Sequence, residues 1–111
     1  MNRKMGCSMK AICLVAFVPF FLASGARAQS DAEKTYKLKC VACHAADGSG
    51  SEVGKKLGAH DFHSSQVTGE SDADLTQIIA KGKSKMPAYE KTLKPDEITS
   101  LVAYIHSLGK K

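Results

Sequence analysis

The stretch Cys40-Val41-Ala42-Cys43-His44 decides the fold of this chain of 111 residues. It places two of the four cysteines and one of the four histidines within five positions. Two thiols three residues apart, followed at once by an imidazole, suit a metal site, a redox pair or the covalent attachment of a prosthetic group. The rest of the sequence distinguishes between these kinds of site.

The first 28 residues have the three-part pattern of a secretory signal. Their basic start carries no acid and three cations, Arg3, Lys4 and Lys10. Residues 11–23 form an uncharged apolar run, and Ala26 and Ala28 occupy the two small positions that a signal peptidase recognises. A membrane anchor needs about 20 apolar residues, and Pro19 interrupts this shorter run. Cleavage after Ala28 is therefore expected, with an uncleaved anchor as the alternative.

Cleavage would leave one domain, residues 29–111, whose composition differs from that of the whole chain. The formal net charge of +5 would fall to about +1, because the leader holds four cations and no acid. That balance argues against nucleic acid as a partner, and nothing in the domain predicts stable membrane insertion. So small a chain rarely builds a sufficient core from side chains alone. A bound group is expected to complete the core.

The fold class predicted for residues 29–111 is all-α, because no run alternates apolar and polar residues as a strand would. The first helix begins at a capping box formed by Ser30 and Glu33. The glycine-rich residues 47–58 are expected to be a loop. Apolar periodicity and end signals together predict three helices, over residues 30–40, 71–82 and 95–109.

Cysteine, two residues, cysteine and histidine form the attachment signature of a c-type haem. The thiols of Cys40 and Cys43 can add to the two vinyl groups along one edge of a porphyrin. His44 would then lie under the iron as its proximal ligand. The export signal strengthens this interpretation, because c-type haem is attached outside the cytoplasm.

Three other interpretations of the cysteine pair are open. A disulfide between Cys40 and Cys43 would suit an oxidising compartment. A thioredoxin-like redox pair needs a βαβ unit, which the pattern lacks. Zinc would take both cysteines with His60 and His63, but the gaps of 16 and two residues between them miss the usual finger spacing.

Met86 is the predicted distal ligand of the iron. It lies between the second and third helices, beside Pro87, whereas a methionine of the core usually lies on the apolar face of a helix. A thioether is a soft axial ligand, and His/Met ligation raises the reduction potential relative to two histidines. The competing sixth ligands are His60, His63 and His106.

On these motifs, residues 29–111 resemble a class I monohaem c-type cytochrome of the small bacterial periplasmic kind. The haem motif near the start of the domain and Met86 in its second half fit that family, and disfavour the cytochrome c′ bundles. Tyr36 matches the aromatic residue of the family's first helix, and Leu101 and Tyr104 match a pair on its last helix. The resemblance implies a cytochrome c fold, with three to five short helices around one covalent haem and crossing terminal helices.

Two departures from the family pattern carry expectations. Ala32 stands where the family usually has glycine, so the crossing of the terminal helices is expected to be slightly wider. Lys55 stands where the family often has a proline whose carbonyl accepts from the proximal histidine. A backbone carbonyl at or near Lys55 is expected to orient His44 instead.

With His44 and Met86 on the iron, no position is left for a substrate. The chain is therefore expected to be a one-electron carrier of a periplasmic chain and not an enzyme. If Met86 is not a ligand, an open-site haem peroxidase or ligand sensor is the alternative, and a haem-binding subunit of a larger redox enzyme is another. The expected walls of the haem site are Leu57, Phe62, Leu75, Ile79, Tyr89 and Leu93.

The expected partners are other redox proteins, with the chain itself a monomer. Two groups of lysines could ring an exposed haem edge and steer an acidic partner. The alternative for these lysines is an ordinary solvated run of charges. They are Lys55 and Lys56 in the first long loop, and Lys81, Lys83 and Lys85 before Met86.

We expect protein exported to the periplasm to begin within a few residues of Gln29 and to carry one covalent haem. Intact-mass spectrometry measures both features. An Ala28→Phe variant, which puts a bulky side chain where the peptidase needs a small one, should keep its leader. Recovery of the unaltered protein in membranes at full length would contradict the prediction.

Overall fold

The computed structural model describes the chain from residue 24 to residue 111. Most of the predicted leader, including its basic start and apolar run, lies outside these residues. The described part is helical, and its only β pairing is an isolated bridge between Lys83 and Met86. The all-α prediction is confirmed. The helices are α1 (Ser24–Lys39), α2 (Val41–His44), α3 (Glu52–Lys56), α4 (Ser65–Thr68), α5 (Asp72–Lys81) and α6 (Pro95–Gly109).

The first helix begins earlier than the capping box predicted. Because α1 already includes Ser24, Ser30 lies inside the helix and not at its N-cap. The physical reason is the segment that precedes Ser30, residues 26–29, in which alanine, arginine and glutamine all favour helix. The predicted apolar stripe is correct in its first part, since Ala32 and Tyr36 are buried.

The two later helices begin and end at the predicted signals. The Ser71 hydroxyl accepts a hydrogen bond from the Asp74 N–H at 3.1 Å, which satisfies one free donor at the start of α5. Gly82 ends that helix with a φ of 77°. Pro95 opens α6, and the carboxylate of Glu97 accepts from the Lys94 N–H at 2.7 Å.

The chain between the first and second predicted helices contains three short helices that the periodicity did not predict. The expected loop at residues 47–58 includes α3, and its serine cap is Ser51, which accepts from the Gly54 N–H at 3.0 Å. Helices α2, α3 and α4 have four or five residues each. So few residues show no recognisable apolar period, which is why the sequence pattern missed them.

The core lies where α1 packs against α6. The rings of Tyr36 and Tyr104 meet edge to face with their centroids 5.3 Å apart, and Tyr36 also contacts the edge of Phe62. Tyr36 and Leu101 are the largest fully buried side chains of the described residues. Helix α6 supplies six buried residues, namely Ile98, Leu101, Val102, Tyr104, Ile105 and Leu108.

Between residues 24 and 111, none of the helices combines the length and the apolar character needed to cross a bilayer.

We expect Leu101→Ala to lower the free energy of unfolding by about 2–5 kcal/mol, because Leu101 is 2% exposed and its removal leaves a cavity. Leu38→Ala is the matched control, since Leu38 lies on α1 but is 84% exposed. That substitution should change stability by less than about 0.5 kcal/mol. Denaturant unfolding followed by circular dichroism measures both, and equal losses would contradict the packing described.

Candidate functional site

The Cys40–His44 segment is a compact turn that continues from α1 after a break at Cys40. The Cys40 N–H still donates to the Tyr36 carbonyl at 2.9 Å, as in a helix. The N–H groups of Cys43 and His44 then both donate to the Cys40 carbonyl, at 3.2 and 2.9 Å. This turn makes one unit of the two cysteines and the histidine.

Both cysteines are free thiols and half-buried, so the disulfide alternative is not adopted. Burial raises the pKa of Cys40 to about 11, which keeps its thiol protonated at neutral pH. The zinc alternative also fails in the part of the chain that the structure describes, because no three metal-ligating side chains come together there. His60 and His63 are exposed, and His63 instead contacts Asp61 at 2.6 Å.

The imidazole of His44 is held in an apolar setting. Its ring stacks on that of Phe62, with centroids 4.9 Å apart and an angle of 29° between the planes. Burial lowers the pKa of His44, so the ring is neutral at pH 7 and keeps a lone pair that can bind a metal ion.

The expected acceptor for His44 is not in place, and this prediction was wrong. The Nδ1 atom of His44 is buried and has no hydrogen-bond partner among the described residues. The carbonyl of Lys55 accepts instead from the Gly58 N–H at 3.1 Å, and that of Gly54 accepts from the Ala59 N–H at 2.8 Å. Gly54 and Lys55 belong to the short helix α3, so their carbonyls accept hydrogen bonds from N–H groups at the end of that helix.

Helix α3 is docked directly on the cysteine segment. The Ser51 hydroxyl donates to the Ala42 carbonyl at 2.7 Å, and the Ser51 N–H donates to the Cys43 carbonyl at 2.9 Å. A Cβ on Gly54 would lie 1.8 Å from the same Cys43 oxygen, so only glycine fits there. Sequence reasoning missed Ser51, although a serine followed by Glu52 is the start signal of a helix.

Residues 83–90, which we call the Met86 segment, fold back on the end of α5. The N–H groups of Tyr89 and Glu90 donate to the carbonyls of Ile79 and Ala80 at 3.0 and 3.1 Å. Gly82 permits this return, because a Cβ on it would lie 2.6 Å from the Met86 carbonyl oxygen. The segment is therefore an ordered hairpin and not a free loop.

The side chain of Met86 is half-buried and packs against the core cluster, as do Cys40, Val41 and Tyr89. The structure thus brings the predicted thioether and the cysteine segment to the same apolar cluster. Of the competing ligands, His106 contacts the Asp72 carboxylate at 2.8 Å. Among the expected wall residues, Phe62, Leu75, Ile79 and Leu93 are buried, whereas Leu57 is 46% exposed.

These residues fit a covalently attached haem. Two free thiols on one turn can form two thioethers, and the neutral imidazole beside them is the form that binds iron. The cradle at Gly54 keeps α3 close to the segment without a side chain between them.

The known proteins similar to this chain include subunits of a cytochrome c oxidase and small c-type cytochromes. The family model described as cytochrome c oxidase, cbb3-type, subunit III matches residues 27–105. Subunit FixP of the cbb3-type cytochrome c oxidase of Bradyrhizobium diazoefficiens is 35% identical over 79 residues. That match covers 69% of this chain but 26% of FixP, so the chain spans about a quarter of that relative.

Two further similarities cover nearly the whole of the other protein. Cytochrome c6 of Leptolyngbya boryana is 30% identical over 81 residues, which are 70% of this chain and 89% of that one. The solved structure of the KustC0563 c-type cytochrome superposes with a TM-score of 0.67 at 29% identity. It covers 70% of this chain and 96% of the other.

The close approach of Gly54 to Cys43 predicts that an alanine at position 54 destabilises the protein, which is the opposite of what helix propensity predicts. Alanine favours helix over glycine by about 1 kcal/mol, so propensity alone would make Gly54→Ala stabilising. We expect the reverse, a loss of about 2 kcal/mol or more, because the new methyl group forces α3 away from Cys43.

Thermal unfolding of the purified protein measures this effect. The matched control is Lys56→Ala on the same helix, where the side chain is exposed and a change within about 0.5 kcal/mol is expected. A melting temperature of Gly54→Ala at or above that of the unaltered protein would show that the two segments are not in contact.

Proposed function

Because this chain belongs to the c-type cytochromes and its cofactor is a covalently bound haem c, we propose that it is a one-electron carrier of a periplasmic electron-transfer chain. The observation that carries the proposal is the pairing of two kinds of ligand at one apolar cluster. Cys40 packs against this cluster and His44 stacks on Phe62, which belongs to it, while the half-buried side chain of Met86 packs against the same cluster. When bound, the haem supplies a couple that gains or loses one electron.

Cys40 and Cys43 are proposed to form the two thioether links. Their spacing on one turn and their free, half-buried thiols support this assignment. His44 is proposed as the proximal ligand, since burial lowers its pKa and leaves the imidazole neutral. Stacking on Phe62 restricts the rotation of the ring and so orients the ligating nitrogen.

Met86 is proposed as the distal ligand. The backbone hydrogen bonds of Tyr89 and Glu90 to α5 hold its segment in one position. A thioether ligand favours the reduced iron and raises the reduction potential relative to a second histidine. Protein side chains would then fill both axial positions, which leaves no site for a substrate and favours transfer over catalysis.

Exposed lysines before Met86 and on α3 support docking of an acidic partner. Lys83 precedes the turn before Met86 and Lys85 lies in that turn, and Lys55 and Lys56 lie on α3. Lys81 is paired with Glu90 at 2.5 Å and so adds less to the positive surface. Encounters of electron carriers are small and weak, and the chain is proposed to act as a monomer.

Two other functions follow from particular observations. FixP is a subunit of an oxidase, and the chain matches about a quarter of it, so a haem-bearing subunit of a larger redox enzyme is a second candidate. An open-site haem peroxidase or ligand sensor is the third, and it requires that Met86 not bind the iron. Export to the periplasm through the leader at residues 1–28 is part of the proposal in the first two cases.

Replacement of the proposed distal ligand tests the function. In Met86→Ala we expect the weak ferric band at the red end of the visible spectrum to vanish, a high-spin spectrum to appear and the reduction potential to fall. Visible spectroscopy with redox titration measures all three.

The control variants are His60→Ala and His106→Ala, which remove competing ligands and should leave the band in place. An unaltered spectrum and potential in Met86→Ala would refute His/Met ligation. A high-spin spectrum in the unaltered protein would favour the peroxidase or sensor.

A further inference from the structure

Two tyrosine hydroxyls donate to the backbone carbonyls that flank the cysteine segment. The hydroxyl of Tyr36 donates to the Ala45 carbonyl at 2.7 Å, immediately after His44. The hydroxyl of Tyr89 donates to the Lys39 carbonyl at 3.3 Å, immediately before Cys40. Tyr36 belongs to the helix that leads into the segment, whereas Tyr89 lies fifty residues from its acceptor.

The Lys39 carbonyl needs a donor because the helix breaks at Cys40. In a continuous helix the Cys43 N–H would donate to Lys39. Here it donates to Cys40 at 3.2 Å, which leaves the Lys39 oxygen at the end of α1 without its helical partner. The Tyr89 hydroxyl therefore caps a helix end as well as joining two distant parts of the chain.

Tyr89 lies three residues after Met86, and a stiff link connects them. Pro87 restricts the backbone between the two residues, and the Tyr89 N–H is fixed to the Ile79 carbonyl at 3.0 Å. A shift of the Tyr89 backbone away from α1 is therefore expected to displace Met86 as well. The hydrogen bond of the Tyr89 hydroxyl therefore restrains movement of the Met86 segment away from the cysteine segment.

The remaining hydrogen bonds of the Met86 segment do not oppose this separation. Within the described residues they join the segment to itself or to α5, through the Tyr89 and Glu90 N–H groups and the bridge between Lys83 and Met86. The ion pair of Glu90 with Lys81 also ends on α5, and it is exposed, so it contributes little. These hydrogen bonds would persist if α5 and the Met86 segment moved together. Such a movement is opposed by the apolar packing of α5 and Met86 on the core and by the contact of Asp72 with His106, and the Tyr89 hydroxyl adds a direct link to α1.

We propose that Tyr89 is a positioning residue for Met86, and that its hydrogen bond to the Lys39 carbonyl limits access of outside ligands to the distal position. The inference rests on the proposed role of Met86 as an iron ligand. Tyr89 itself does not contact the iron in this proposal. It acts by keeping the fraction of protein with a displaced Met86 small.

Tyr89→Phe tests the proposal, because it removes the hydroxyl and keeps the ring. The probe is imidazole, titrated into the ferric holoprotein and followed in the visible spectrum. The Tyr89 hydroxyl lies 3.3 Å from the Lys39 oxygen in an exposed position, so the lower end of the range for a net hydrogen bond applies, which is about a twofold change in an equilibrium. Since apparent affinity follows the open fraction, we expect imidazole to bind Tyr89→Phe about twofold more tightly than it binds the unaltered protein.

Tyr104→Phe is the matched control. Tyr104→Phe is also a tyrosine-to-phenylalanine change, in a buried ring that packs on Tyr36. The Tyr104 hydroxyl makes no hydrogen bond within residues 24–111, so its removal breaks none. Its imidazole affinity should equal that of the unaltered protein. Equal affinity in Tyr89→Phe and in the unaltered protein, or an equal increase in Tyr104→Phe, would overturn the proposal.

The double variant Met86→Ala/Tyr89→Phe separates this inference from the proposed function. If Tyr89 acts through Met86, its effect on imidazole affinity disappears once Met86 is gone. An effect that persists in the Met86→Ala background would overturn the positioning role. If Met86→Ala alone changes neither spectrum nor affinity, the proposed ligation fails first. If it changes both while Tyr89→Phe changes nothing, only the inference fails.

Discussion

The burial of Tyr36 connects the core of this protein to its site. The ring packs edge to face on Tyr104 of α6 and on Phe62, and Phe62 in turn stacks on the imidazole of His44. The hydroxyl donates to the Ala45 carbonyl at 2.7 Å. One side chain thus fixes the packing of the terminal helices and the end of the cysteine segment. Burial also raises the pKa of Tyr36 well above its usual range, so the hydroxyl stays protonated and can donate.

Two parts of the chain hold the backbone of the cysteine segment. The Cys43 carbonyl accepts from the Ser51 N–H and the His44 carbonyl from the Gly50 N–H, and the Ala45 carbonyl just after the segment accepts from the Tyr36 hydroxyl. These contacts come from α1 and from the connection before α3. A site with few free backbone groups changes little when its charge changes. Such rigidity suits a protein proposed to gain and lose one electron repeatedly.

The sequence and the structure disagree most over helix α3. The glycine-rich sequence of residues 47–58 predicts a loop. It also predicts that a backbone carbonyl at or near Lys55 accepts a hydrogen bond from the ring of His44. The residues instead form a short capped helix, whose carbonyls are used by Leu57, Gly58 and Ala59. The Nδ1 atom of His44 is left without a partner. A helix of one turn is stabilised by its N-cap and by its contacts with the neighbouring cysteine segment. Neither of these produces a periodic pattern of apolar residues in the sequence.

The sequence by itself determined the chemistry and the long helices. The spacing of Cys40, Cys43 and His44 is local, and so are the serine cap of α5 and the proline start of α6, because each depends on neighbours within one turn. Only the tertiary structure decided which distant residues contact the cysteine segment and its flanking carbonyls. The contact of Gly54 with Cys43 and the reach of Tyr89 to Lys39 join residues far apart in the chain. Such contacts are set by how the packed helices meet, which no local pattern records.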